Sequence, residues 1–176
     1  FYSFDQPGKS PDALLDSATV QTAPGHGRVE GPVWSVGRWK NKGALHFRQQ
    51  GDCVHLDFGQ DRFEQMTLAT WVNLEELNHA HNALVYSNQW NRDGAMHWTV
   101  LEDGRIEFAV GGCAPDVVQS DKVMMHRRLG RWVHLAVVYD ARQKNLRFYL
   151  NGVERENRSY TQGGRRDPQE VQLGSW

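Results

Sequence analysis

The sequence has little cysteine and no long apolar run, and each shortage excludes a class of protein. Two cysteines, Cys53 and Cys113, in 176 residues are too few for the disulfide framework of a small secreted domain. A chain of this length buries roughly 70% of its unfolded surface, which suffices for a core without disulfides. We therefore expect the cysteines to be unlinked, with a disulfide as the less favoured alternative. No run of 18 apolar residues occurs, so no membrane-spanning helix is predicted.

The chain also lacks an excess of charge of either sign. It has 20 Lys and Arg against 21 Asp and Glu, for a formal net charge of −1. The two short basic clusters, His126–Arg128 and Arg165-Arg166, are interpreted as solvated surface, so nucleic acid is not an expected partner. We expect no membrane contact by this domain itself. No signal peptide is found, and the strand-like opening FYSFD suggests a domain excised from a longer protein.

Helical periodicity is missing as well. Residues 73–84, NLEELNHAHNAL, come nearest to a helix but have no sustained apolar stripe at the helical period, and we interpret them as a loop. Residues 25–37 are rich in Gly, Pro and Val and are interpreted as a loop that leads into a short strand. No repeat or low-complexity tract divides the chain. Residues 1–176 are therefore expected to form a single domain.

Short alternating segments separated by turn signals are what the sequence does contain. Residues 132–140 and 146–150 are predicted to form an antiparallel hairpin, because the polar stretch DARQKN joins them. Asn151-Gly152 tolerates the positive φ angles of a type I′ turn, so another strand is expected from Val153. Upstream, the pattern predicts strands at 84–90, 96–101 and 105–110, with Asp-Gly turns at 91–94 and 102–104. This rhythm is typical of an all-β sandwich or barrel.

Alternation also predicts which side chains form the core. Cys53 should point away from the buried face, together with His55 and Asp57, because Val54 and Leu56 point inward. Trp71, Trp98 and Trp132 are interpreted as core because they alternate within strands. The full predicted buried set is Leu45, Phe47, Val54, Leu56, Leu68, Trp71, Ile106, Phe108, Leu135, Val137, Phe148 and Leu150.

Five motifs occur in a fixed order along the chain: YSFD (2–5), GALHF (43–47), GDCV (51–54), TLATWV (67–72), and WVHLAVVYD (132–140) with the YLNG hairpin (149–152). In this order they resemble the laminin-G-like jelly-roll domains of the concanavalin A-like lectin/glucanase superfamily. The resemblance implies an all-β fold, a two-sheet antiparallel β-sandwich (jelly roll). It is specific for the fold and not for a ligand.

The C-terminal segment departs from the pattern of these domains. They usually end with a strand that carries an Asp-Glu pair and returns beside the first strand. In this sequence residues 171–176 fall where that strand would begin. We therefore expect that the chain lacks its final strand, and that any site needing that strand is incomplete.

No catalytic motif is evident. Glycoside hydrolases need two carboxylates that face one bond, and laminarinase-type relatives carry them on one strand. Glu102 and Glu107 are predicted to lie on different strands, because Asp103-Gly104 forms a turn. Glu75-Glu76 are adjacent and diverge. No serine stands in a Gly-x-Ser-x-Gly elbow, and His134 is interpreted as a packed histidine.

The sequence offers candidate ligands for two metals, zinc and calcium. His79 and His81 would share one face of an extended segment, but zinc needs three or four ligands, so we interpret them as loop histidines. Many relatives hold a structural calcium at the edge where the first and last strands meet. By resemblance, Asp5, the carbonyl of Gly51, and Asp52 match positions that would bind it.

Exposed aromatic rings beside polar turn residues are the candidate binding surface. Trp90 ends a predicted strand and precedes Asn91, Arg92 and Asp93. A sugar stacks its apolar face on such a ring while its hydroxyls pair with the polar side chains. Trp39, in GRWKNK, is a second candidate. Either ring has the alternative interpretation of a lid over the edge of the sandwich.

These observations predict a non-enzymatic recognition module. By resemblance, it would bind an extracellular glycan or protein as part of a bacterial cell-envelope protein, at the cell surface or in the periplasm. Three alternatives remain open: the external sensor domain of a FecR-like anti-sigma regulator, a glycan hydrolase or lyase with an unrecognised site, and a structural adhesion or spacer domain.

Overall fold

The computed structural model describes residues 1–4, 11–18, 25–59, 62–87, 89, 92–124, 126–164 and 166–174. These residues form β-strands, turns and a single short 3₁₀ helix, His126–Arg128. The strands are β1 (Ala13–Leu14), β2 (Gly27–Glu30), β3 (Val33–Val36), β4 (Gly43–His46), β5 (Cys53–Asp57), β6 (Gln65–Asn73), β7 (His81–Ser87), β8 (Met96–Leu101), β9 (Arg105–Val110), β10 (Val117–Lys122), β11 (Trp132–Asp140), β12 (Asn145–Leu150), β13 (Val153–Ser159) and β14 (Glu170–Gly174).

Two antiparallel sheets carry the fold. The larger has eight strands in the order β1-β2-β5-β14-β7-β8-β9-β10, and the smaller has four in the order β13-β12-β11-β6. A separate hairpin pairs β3 with β4. The prediction of an all-β jelly-roll sandwich is confirmed, and so is the expectation of no more than a turn or two of helix among the described residues.

The core lies between the inward faces of the two sheets. Trp98 from β8 and Phe108 from β9 meet Leu135 and Val137 from β11 and Phe148 from β12, all fully buried. Eight of the twelve side chains predicted as core are buried in this way, and Leu45 and Leu68 pack against them while partly exposed.

The predictions for Phe47 and Trp71 as core residues are wrong. Phe47 is 38% exposed, and its ring lies where a side chain at Gly174 would have to be. Trp71 pairs with His134 in the β6–β11 ladder and therefore lies on the outward face of the small sheet. Trp132, paired with Asn73, faces outward as well, whereas Trp98 is core as predicted.

The predicted hairpins are confirmed. β11 and β12 pair across the turn after Asp140, and β13 begins at Val153. Asn151 and Gly152 both have positive φ, 52° and 79°, as a type I′ turn requires. β8 and β9 have the predicted bounds and flank the turn at 102–104. The other predicted turn, at 91–94, is described only from residue 92.

Several strands were not predicted. Residues 25–37 contain two strands, β2 and β3, instead of a loop, and β7 begins at His81, inside the stretch interpreted as a loop. Residues 171–174 already belong to a strand, β14, which pairs with both β5 and β7. The expectation that the chain lacks the final strand of these domains stays a prediction.

The cysteines are free, as expected. The interpretation of Arg165-Arg166 as solvated surface is wrong for Arg166, which is 1% exposed. Arg165 lies outside the described residues. The Arg166 guanidinium donates hydrogen bonds to the carbonyls of Gly111 and Gly164. The first of these partners is distant in sequence, so the burial of Arg166 depends on the folded chain.

Candidate functional site

The outward face of the four-stranded sheet carries an aromatic cluster. Trp71 on β6 and His134 on β11 are paired neighbours, and their ring centroids are 5.2 Å apart. Both point outward because Val72 and Val133, the adjacent residues in sequence, point into the core. The side chain of Asn151 accepts a hydrogen bond from the His134 backbone N–H at 2.9 Å and fixes this end of β11.

The tip of the β3–β4 hairpin extends this cluster. The turn is closed by a hydrogen bond from the Gly37 N–H to the Lys42 carbonyl. The Arg38 guanidinium carbon lies 3.6 Å from the centroid of the Trp71 ring and 4.4 Å from that of Trp39. The Trp39 ring meets Trp71 edge to face at 5.4 Å and remains 48% exposed.

The surface beside this cluster is shallow. The next outward row of the sheet consists of Ala69, Ala136 and Tyr149, and the Tyr149 hydroxyl donates a hydrogen bond to Glu154. Two alanines leave space between the aromatic cluster and the tyrosine. We call Arg38, Trp39, Trp71, His134, Ala69, Ala136 and Tyr149 the Trp39 face. Of these, only Trp39 was predicted as a site residue. Trp71 and His134 were missed because they come from strands that are distant from Trp39 in sequence.

The Trp90 cluster is described only in part. Trp90 and Asn91 lie outside the described residues. The Arg92 guanidinium donates a hydrogen bond to the Asp167 carbonyl at 2.6 Å and lies 3.5 Å from the Asp167 carboxylate. Asp93 is exposed. Arg92 therefore links the turn after β7 to the segment before β14, and a ligand role for Trp90, Asn91, Arg92 and Asp93 stays a prediction.

Of the residues predicted to bind calcium, the structure describes Gly51 and Asp52. Asp5 lies outside the described residues. Asp52 is 2% exposed, and its carboxylate accepts hydrogen bonds from the backbone N–H groups of Arg48 and Gln49. Gly51 stands in the same turn with a φ of 92°. These contacts explain the burial of Asp52 without a metal ion, and calcium binding stays a prediction.

A polar row crosses the outward face of the eight-stranded sheet. Because paired residues on neighbouring strands point the same way, the ladders align one side chain from each of six strands on this face. The Tyr86 and His97 rings of this row are 4.4 Å apart. The row is Arg28, His55, Gln172, Tyr86, His97 and Ala109.

His97 and Glu107 are buried titratable groups on this face. Burial lowers the pKa of His97, although a hydrogen bond with the Ser87 carbonyl at 3.0 Å partly opposes the shift. Glu107, in the next row, accepts a hydrogen bond from the Gln119 amide at 2.7 Å. Both side chains have hydrogen-bond partners within the protein, so this part of the face is polar and its side chains are positioned by the fold.

Charged groups surround His55 at the other end of the row. Its Nε2 lies 3.2 Å from a Glu30 carboxylate oxygen and 3.2 Å from the Cys53 sulfur, while its Nδ1 lies 3.1 Å from Glu170. The ion pair with Arg28 lowers the pKa of Glu30. Burial raises the pKa of the Cys53 thiol, and the charge of Glu30 adds to that effect.

This arrangement does not resemble the acid–nucleophile pair of a glycosidase. Such an enzyme keeps one carboxylic acid protonated by a raised pKa. The pKa of Glu30 is lowered, so Glu30 does not fit the role of that acid, and an imidazole stands between Glu30 and Glu170.

A jelly-roll sandwich with aromatic and polar side chains on its outward faces falls in the class of lectin-like β-sandwich domains. The family model Laminin_G_3, of the concanavalin A-like lectin/glucanases superfamily, matches residues 49–175. The chain therefore belongs to this family.

Solved structures share the fold at low identity. Domain 4 of AbnA, a GH43 extracellular arabinanase from Geobacillus stearothermophilus, in complex with arabinotriose, has a TM-score of 0.68 and 19% identity over 99% of this chain and 82% of that one. The binding domain of botulinum neurotoxin serotype D has a TM-score of 0.62 and 11% identity over 93% of this chain and 42% of that one. CBM40 of the Ruminococcus gnavus IT-sialidase, bound to alpha2,3 sialyllactose, has a TM-score of 0.50 and 16% identity over 64% of both chains.

The chain spans only part of several matched structures, 31% of one and 41% of another. No curated protein matches it. Among the described residues, no helix has the length and apolar character needed to cross a bilayer.

Proposed function

We propose that this domain is a non-catalytic recognition module that binds an extracellular glycan, as part of a larger bacterial cell-envelope protein. The observation that carries the proposal is the half-exposed Trp39 ring, which contacts Trp71 and Arg38 beside the row that contains Ala69 and Ala136. Family membership and the sugar-bound relatives support a glycan. A protein target is the alternative, because the family match identifies the fold and not the ligand.

The Trp39 face has the groups that sugar recognition requires. An exposed indole offers an apolar surface for the axial hydrogens of a pyranose or furanose ring, while neighbouring polar side chains pair with hydroxyls. The guanidinium of Arg38 lies 4.4 Å from the Trp39 ring centroid, and the imidazole of His134 lies 5.2 Å from that of Trp71. Both supply hydrogen-bonding groups on the Trp39 face. Because the Arg38 guanidinium contacts both indole rings, it is partly ordered before a ligand arrives, which lowers the entropic cost of binding.

Binding to a glycan array followed by titration calorimetry tests the proposal. The probes are the array hits, together with arabinotriose and alpha2,3-sialyllactose. Contact with one or two sugar rings is expected to give a Kd of about 1 mM. Trp39→Ala should weaken binding about tenfold, since the ring is exposed and contributes mainly to the ligand, while the melting temperature changes little.

Two matched variants locate the site. Tyr86→Ala removes an aromatic ring from the opposite outward face and should leave binding unchanged. Trp90→Ala tests the other predicted ring. Loss of binding in Tyr86→Ala or Trp90→Ala, with Trp39→Ala unchanged, would move the site to that position. Failure of every glycan to bind, together with capture of a protein ligand that Trp39→Ala abolishes, would establish the alternative target.

The enzyme and regulator alternatives have their own readouts. Incubating array hits with the domain should release no reducing sugar or unsaturated product. A FecR-like sensor role predicts that the same gene product carries a membrane segment and a cytoplasmic regulatory region, which sequencing of the full gene would reveal.

A structural calcium at Asp5, Gly51 and Asp52 is a further proposal. Calcium bound only by the native state raises the melting temperature, and the increase grows with the logarithm of the calcium concentration relative to Kd. Millimolar calcium should therefore stabilise the wild type, and Asp52→Asn should abolish the increase. An equal melting temperature in calcium and in chelator would reject this site.

A further inference from the structure

Glu30, Cys53 and His55 bring three metal-binding atoms together on the outward face of the eight-stranded sheet. The carboxylate oxygen, the sulfur and the imidazole nitrogen all lie within 4.8 Å of one another, and no other such group of three is found among the described residues. The sulfur–nitrogen and nitrogen–oxygen distances are both 3.2 Å. Ligand atoms of a tetrahedral zinc ion are about 3.3–3.6 Å apart, as its bond lengths require. Small side-chain movements would therefore admit an ion.

The backbone holds these ligands in place. Cys53 and His55 are alternate residues of β5 and point the same way, and Glu30 is paired with Cys53 across the β2–β5 ladder. Gly174, on the other side, also pairs with Cys53. The site therefore sits on the interior strand of a sheet and not on a loop, which favours precise ligand geometry.

Glu170 supplies a second, independent feature of a metal site. Its carboxylate lies 3.1 Å from Nδ1 of His55, the nitrogen that faces away from the other two ligands. Histidines that bind metals through one ring nitrogen usually bond through the other to a carboxylate or carbonyl, which fixes the tautomer and orients the ring. With Glu170 on Nδ1, Nε2 is left to face Cys53 and Glu30.

The ligand types select the ion. A thiolate and an imidazole suit zinc and other late transition metals, whereas calcium takes oxygen ligands. Three protein ligands leave the fourth position of a zinc ion open. Glu30 and Glu170 are both more than half exposed at the side chain, so that position faces solvent.

We propose that Glu30, Cys53 and His55 bind one zinc ion, with Glu170 positioning His55 and the fourth position open to water or to a ligand on this face. Binding occurs through the Cys53 thiolate, whose proton passes to solvent. The ion displaces the direct contacts of His55 with Cys53 and Glu30. Arg28, which pairs with Glu30, must share that carboxylate with the ion or move from it.

Zinc and cobalt titrations of the tag-free, reduced, chelator-treated chain test the proposal. Competition with a chromogenic chelator should give one zinc ion per chain. Cobalt(II) should give the near-ultraviolet thiolate-to-cobalt band and the visible bands of tetrahedral coordination. Cys53→Ser should abolish the thiolate band and weaken zinc binding more than tenfold. Glu30→Gln, at an exposed position and nearly isosteric, should also weaken it more than tenfold.

Cys113→Ser is the matched control, because Cys113 lies beside Tyr139 and Arg166 and away from the cluster. It should keep both the affinity and the cobalt spectrum. Circular dichroism of each metal-free variant confirms folding. Zinc affinity unchanged in both Cys53→Ser and Glu30→Gln, a cobalt spectrum without the thiolate band, or loss of binding in Cys113→Ser would each overturn the proposal.

Discussion

Arg166 carries its charge inside the sandwich. The guanidinium lies over the Tyr139 ring, 5.0 Å from the centroid, and donates to carbonyls of two different loops. Tyr139 stacks on Tyr160 and donates to the Gly164 carbonyl, so burial and hydrogen bonding together organise this region. Burial raises the pKa of Tyr160, which keeps its hydroxyl protonated as a donor to the Asp140 carbonyl.

Replacing Arg166 with methionine should destabilise the protein by about 2–4 kcal/mol, because its charge-assisted hydrogen bonds to the Gly111 and Gly164 carbonyls would be lost. Each carbonyl would keep one donor, the Gly94 N–H or the Tyr139 hydroxyl. Urea denaturation measures the change. Arg155→Met, at an exposed position of β13, is the control and should stay within about 0.5 kcal/mol of the wild type. Equal stability of Arg166→Met and the wild type would show that water replaces the guanidinium at no cost.

His97 should make stability depend on pH. Its folded-state pKa is lowered, chiefly by burial, so the unfolded chain takes up a proton at higher pH than the folded one. Its contribution is fully present above the unfolded pKa of about 6.5 and is lost as pH falls toward the lower folded value. The free energy of unfolding should therefore decrease more steeply in the wild type than in His97→Gln between about pH 7 and 5. His79→Gln, at an exposed loop position, should keep the wild-type slope.

At the level of single residues, local sequence predicts burial where the direction of a side chain follows from the alternation of its own strand. Val54 and Leu135 follow the alternation of their own strands and are core. Arg166 and Trp71 depend on loops and strands distant in sequence, and their environments could not be predicted. Phe47 follows the end of β4 and packs over Gly174, a partner more than a hundred residues away.

Among the elements, the β12–β13 turn requires glycine at position 152 because of its backbone conformation. No atom lies within 4 Å of the position that a Gly152 side chain would occupy, so space does not limit substitution there. The φ of 79° does. Gly152→Val should therefore cost about 1 kcal/mol or more, because a β-branched residue is strained at positive φ.

Chemical denaturation checks this cost, with Arg155→Val as the control, since valine is well suited to an exposed strand position. A midpoint for Gly152→Val equal to that of the wild type would mean that the turn changes type without penalty.

Hairpins were the elements that the sequence predicted well. Asp103-Gly104 and Asn151-Gly152 require a tight turn, and alternation on both sides then sets the register. β2 and β14 gave no comparable signal, since no tight turn joins either strand to one of its partners. For the same reason, the metal-binding atoms of Glu30 and Cys53 could not be brought together from the sequence, although alternation does place Cys53 and His55 on one face of a strand.

For the molecule as a whole, the eight-stranded sheet is completed by the C-terminal part of the chain. β14 lies between β5 and β7 and forms ladders with both, while Val171 on its inner face is fully buried. The N-terminal strands β1, β2 and β5 are therefore joined to the later hairpins β7 to β10 through this one strand. Contacts of such large sequence separation couple the two halves of the sheet, and we expect them to slow folding.

A chain that ends at residue 168 should consequently lose cooperative unfolding, because β5 and β7 would both be left with unpaired backbone groups on an apolar-faced sheet. Thermal and urea unfolding, followed by near-ultraviolet circular dichroism, measure this loss. A chain that ends at Gly174 keeps every pairing of β14 and is the control, and it should unfold like the 176-residue chain. Adding a peptide of residues 169–176 in excess should partly restore the transition, since the gap between β5 and β7 accepts that strand. A sharp transition in the shorter chain without the peptide would mean that β5 and β7 pair directly, and that β14 is dispensable to the sheet.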